Sequence, residues 1–82
     1  MRDVTQELAG AVRASGMRTG LCHAFVVGST ASLTTIEFEP GLARDFPAAL
    51  ERVAPSAASY EHEARWGDDN GHSHVRATLV GP

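Results

Sequence analysis

The chain has 82 residues, a formal charge of −3 and a sequence pI near 5.7. All seven basic residues are arginines placed singly along the chain, so no basic patch forms to track nucleic-acid phosphates. Cys22 is the only cysteine, which excludes an internal disulfide and suits a reducing compartment. No stretch reaches the about 18–20 apolar residues of a membrane span. The start, Met1 to Thr5, lacks the apolar run of a secretory signal. These features predict a cytoplasmic protein that binds neither membrane nor nucleic acid, with one domain over residues 1–82. A domain this small buries only about 60% of its unfolded surface, so it needs a metal or a partner subunit to be stable.

Residues 3–15 read as a helix, with Val4, Leu8 and Val12 forming one apolar stripe. Asp3 and Gln6 have capping-box spacing, Thr5 is a competing cap, and Gly16 can end the helix in the left-handed conformation. Leu21 to Val27, bounded by Gly20 and Gly28, is short and apolar, which predicts a buried strand. It would place Cys22 as an inert buried thiol and His23 as a hydrogen-bonded core or interface histidine. Ser29, Thr30 and Ala31 form the turn into a second strand, Ser32 to Phe38. Leu42 to Val53 then reads as an irregular turn followed by a helix capped by Asp45, with Pro47 in its first turn. Residues 56–71 read as a long polar loop anchored over the core by Trp66. From His72, alternation predicts a half-buried strand with Val75, Ala77 and Leu79 inward and His74, Arg76 and Thr78 outward. The order helix, two strands, helix, strand predicts an α+β fold with an antiparallel hairpin.

Three of the four histidines lie between positions 62 and 74. On an extended chain His72 and His74 project from one face, and His62 can fold back as a third nitrogen ligand. That set suits a catalytic-type zinc site or a phosphate, with Asp68 or Asp69 as oxygen donors; equally, these are exposed histidines at a polar strand entrance. Gly28-Ser29-Thr30-Ala31 can hold an anion through amides and hydroxyls, or can be a plain turn. Glu37 falls on a strand face that otherwise reads as buried, so its carboxylate needs a partner and can serve as a general base or pair with an arginine.

Three collinear stretches carry a resemblance. The first is Phe25 to Glu37, followed by Pro40. The second is Asp45, Leu50, Val53 and Pro55 with Tyr60-x-His62. The third is the block Gly67-Asp68-Asp69-Asn70-Gly71-His72-Ser73-His74-Val75-Arg76, running on to Pro82. Together they resemble the YjbQ-like family, the secondary thiamine-phosphate synthase family, over almost the whole chain. Gly28 departs from it, since many members carry histidine there. The match corresponds to about the first two-thirds of a usual member, with the family's C-terminal strands and an initial strand lacking.

The resemblance implies a β-sandwich-like α+β fold assembled as a homotrimer, with a polar pocket near the subunit interfaces. It also implies a weak activity in which a thiazole phosphate displaces pyrophosphate from a pyrimidine diphosphate. Glu37, Asn70 and His74 would then be catalytic. Ser29, Thr30, Asp45 and Arg76 would bind a small phosphorylated ligand. His62, His72 and His74 would hold a divalent metal, zinc or magnesium. A metal- or anion-binding trimer without catalysis, or an inactive truncated copy, is the alternative.

Overall fold

The computed structural model describes residues 1–81. Four helices follow one another: α1 (Thr5–Ala14), α2 (Leu42–Val53), α3 (Glu61–Trp66) and α4 (Gly71–Val80). Among the described residues there is no strand, so the expected α+β sandwich is replaced by a helical arrangement.

The two segments read as strands, 21–27 and 32–38, are without secondary structure. A strand exists only as part of a ladder. Among the described residues no backbone–backbone hydrogen bond is made from Arg18 to Ile36. One tether holds the second segment, a bond donated by Ser32 Oγ to the Ala77 carbonyl of α4 at 2.8 Å. His23 and Cys22 are therefore exposed rather than buried, and so is Glu37.

The third expected strand is α4. Half-buried Ser73, Arg76, Ala77 and Val80 recur at helical spacing, while Val75, Thr78 and Leu79 face solvent. The predicted inward face of Val75, Ala77 and Leu79 was a period-2 reading of residues that follow a 3.6 period. The expected loop 56–71 contains α3. Here the Glu63 carboxylate accepts from the Tyr60 amide at 3.3 Å, and Gly67, at φ 72°, ends the helix.

α1 forms close to where it was expected, while α2 starts at Leu42 and so takes in the residues read as an irregular turn; both have different caps from those expected. Asp3 Oδ1 accepts from the Thr5 amide at 2.9 Å and from the Thr5 hydroxyl at 2.6 Å, in place of a capping box with Gln6. Gly16, at φ 71°, follows α1 in the left-handed conformation. The Glu39 carboxylate, not Asp45, caps α2, accepting from the Gly41 amide at 2.8 Å and from that of Leu42. Those bonds, the Leu42 amide first, hold the Glu39 carboxyl below its ordinary range. Pro47 sits inside α2, beyond its first turn.

The packing is open. The chain exposes 6521 Å², whereas a compact protein of its mass exposes about 4,700 Å². Its radius of gyration is 15.8 Å, against about 12 Å for a compact chain of this length. It is a layer 15 Å thick, little more than one helix diameter. Ala54, 1% exposed, is the only fully buried apolar residue among those described. Of the stripe expected on α1, Val4 and Leu8 line a groove of about 650 Å³ together with Leu33, Ile36, Phe46 and Leu50, while Val12 is exposed outside it.

Candidate functional site

The best-defined corner is the packing of α3 on α4. Tyr60, just before α3, organises it. Its hydroxyl donates to the Pro55 carbonyl at 2.7 Å, and its ring lies 6.4 Å from that of His72. Gly71, the first residue of α4, is buried against it; a Cβ at Gly71 would fall 2.5 Å from Tyr60 Cβ. Glycine is needed here for space.

α3 and α4 then bring His62 and His74 together, with ring centroids 4.3 Å apart and planes tilted by 51°. His62 Nε2 also lies 3.4 Å from Asp68 Oδ1, an ion pair when the imidazole is protonated. Asn70 precedes α4. Its carbonyl accepts the amides of Ser73 at 2.9 Å and His74 at 3.2 Å, which leaves the Gly71 and His72 amides without backbone partners among the described residues. Asn70 Oδ1 and His72 Nδ1 are buried with no hydrogen-bond partner among the described residues. Buried polar atoms of this kind are costly unless something satisfies them.

His72 and His74 part company. Two places apart on a helix, they sit about 200° from one another around the axis, so His72 turns to Tyr60 and His74 to His62. The set expected from His72 and His74 on one strand face with His62 folding back from the loop is thus two histidines, His62 and His74, and a divergent third. Among the described residues no group of three His, Cys, Asp or Glu side chains is placed to hold a metal ion.

Arg76 is committed elsewhere. Its Nε and Nη2 donate to the Ala54 carbonyl at 2.9 and 2.7 Å, and Nη2 also pairs with Glu51. Glu37 and Asp45 are exposed, and among the described residues no ion pair joins either to the histidines. Ser29 and Thr30 are exposed in the bend between the two segments read as strands.

The reading of a loop over 56–71 concealed a neighbour of the site. His62 and Trp66 are four apart on α3, with rings 6.5 Å from each other. Trp66 is 64% exposed and carries the Arg65 guanidinium 5.2 Å from its ring centroid. It is a solvent-facing platform and not an anchor over a core. The i, i+4 spacing was the available signal.

A protein-family model described as UPF0047 protein YjbQ-like matches residues 1–82. A UPF0047 protein of Methanothermobacter thermautotrophicus is 38% identical over 79 residues, which is 96% of this chain and 54% of that protein. Another, from Archaeoglobus fulgidus, is 30% identical over 79 residues, 96% of this chain and 59% of that one. The chain therefore spans little more than half the length of these curated relatives. No solved structure matches it.

Proposed function

Because the chain belongs to the YjbQ-like UPF0047 family, we propose that its α3–α4 corner binds a small phosphate-bearing anion. The carrying observation is the start of α4. The Gly71 and His72 amides, without backbone partners among the described residues, open the helix that carries His74, which meets His62 at 4.3 Å.

A helix N-terminus presents amide donors and the positive end of the peptide dipoles, which suits phosphate oxygens. Imidazolium groups add charge-assisted donors. Asp68 offsets charge on His62, so attraction rests chiefly on His74 and the helix amides. A metal is less well served, since three converging ligands are not found among the described residues.

A second reading follows from the family resemblance: the anion is the pyrophosphate released as a thiazole phosphate joins a pyrimidine diphosphate. In that reading His74 steadies the leaving group. Complementation of a strain lacking thiamine-phosphate synthase, comparing the chain with its His74→Ala variant, tests the catalysis separately from binding.

Binding itself is tested by titrating pyrophosphate calorimetrically. His74→Ala should weaken it by about tenfold, which is about 1.4 kcal/mol. Affinity should rise as pH falls through the range where imidazoles protonate, about pH 7.5 to 5.5. Zinc would show the opposite trend, because ligation needs neutral imidazole. Pyrophosphate binding that ignores both the substitution and the pH would remove the reading.

A further inference from the structure

Asn70 is the only asparagine of the chain, and Gly71 follows it. An Asn-Gly pair carries a chemistry of its own. The amide nitrogen of the second residue can attack the side-chain carbonyl carbon of the first, and glycine offers no side chain to shield it. Gly71 is glycine for a different reason, because a Cβ would fall 2.5 Å from Tyr60 Cβ. The packing that fixes the α3–α4 corner thus leaves this amide unshielded.

Both reacting groups are free of hydrogen bonds that would hold them. The Gly71 amide opens α4 and has no backbone partner among the described residues. The Asn70 side chain does not cap the helix, and its Oδ1 has no hydrogen-bond partner among the described residues. Burial of Oδ1 is no obstacle, since the attacking nitrogen is the next one along the chain. The restraint is the backbone. Ring closure needs the Gly71 nitrogen eclipsed with Asn70 Cβ, and at ψ 12° it is turned away. Rotating that bond swings the Asn70 carbonyl off the Ser73 and His74 amides, which it accepts at 2.9 and 3.2 Å. Helix ends open in this way without global unfolding.

We propose that Asn70 is a self-modification site. When the first turn of α4 opens, the Gly71 nitrogen gives its proton to hydroxide and bonds to Asn70 Cγ. The side-chain nitrogen takes a proton from water and leaves as ammonia, which closes a succinimide. Water then opens the ring at either carbonyl, giving aspartate or isoaspartate. Both products put a carboxylate at the start of α4, where the helix amides attract it. The consequence for binding rests on the proposed anion site: this carboxylate competes with phosphate for the same donors.

The test is incubation of the folded chain at mildly alkaline pH over days, followed by mass spectrometry of its peptides. The peptide carrying Asn70 should gain the mass that separates an acid from its amide, and isoaspartyl methyltransferase should label it. Asn70→Gln should stay unlabelled, because a six-membered ring closes far more slowly. Pyrophosphate at about ten times its dissociation constant should slow the change about tenfold, because it binds only the closed turn. The modified chain, separated by its added negative charge, should bind pyrophosphate about tenfold more weakly. An intact Asn70 in the folded chain, or a modified chain that binds pyrophosphate as well as the native one, would overturn the proposal. Modification in a chain that does not bind pyrophosphate at all would uphold the self-modification site and remove the anion reading instead.

Discussion

At Gly71 one missing side chain decides how two helices meet. Its φ is not in the left-handed region, so glycine is required because Tyr60 Cβ and Cγ lie 2.5 and 2.7 Å from where a Cβ would stand. Gly71→Ala should push Tyr60 away and break its bond to the Pro55 carbonyl. Overpacking of this kind costs about 1–3 kcal/mol. The expected readouts are a lower thermal midpoint and a lost environment for the single tyrosine in near-UV circular dichroism. A variant as stable as the wild type would show that the corner is looser than described. The same residue matters for binding, since it places the His72 amide and the start of α4 beside His62 and His74.

Among the elements, α2 and α4 are joined by one clasp. Arg76 holds the Ala54 carbonyl and Glu51, and Glu51 in turn accepts from Ser56, at 2.8 Å from its amide and 3.0 Å from its hydroxyl. The Ser56 amide foremost, then Arg76 and the Ser56 hydroxyl, keep the Glu51 carboxyl below its ordinary value of 4.5. A lowered carboxyl stabilises the fold above its unfolded value and loses that contribution as pH falls through the lower folded one. Acid below about pH 4.5 should therefore loosen the clasp, and Glu51→Gln should flatten that part of the stability–pH profile measured by denaturant unfolding. An unchanged profile would mean that the exposed carboxylate contributes nothing.

The elements also differ in how legible they were. α1 and α2 were readable because Val4, Leu8 and Val12, and then Phe46, Leu50 and Val53, repeat at helical spacing over about two turns. α4 was not, because Val75, Ala77 and Leu79 satisfy a strand period while Ser73, Ala77 and Val80 satisfy a helical one, and ten residues do not separate the two. Segments 21–27 and 32–38 have β-type composition, but composition cannot supply the ladder partner. The site suffered by the same error. His62 and His74 were singled out, but their meeting depends on α3, which was read as loop, and His72 left the set once its segment became helical.

Across the whole molecule, a layer 15 Å thick with one fully buried apolar residue among those described cannot draw its stability from a core. Its order lies in local caps, the Arg76 clasp and the Tyr60 corner, and that corner is also where the anion site is proposed. Perturbation of backbone amide resonances by pyrophosphate reads this most directly, because each amide reports its own surroundings. The account predicts saturable shifts at His62 and from Asn70 to His74, with Ser29, Thr30 and Asp45 unmoved. Shifts centred on Ser29 and Thr30, or none at the start of α4, would contradict it.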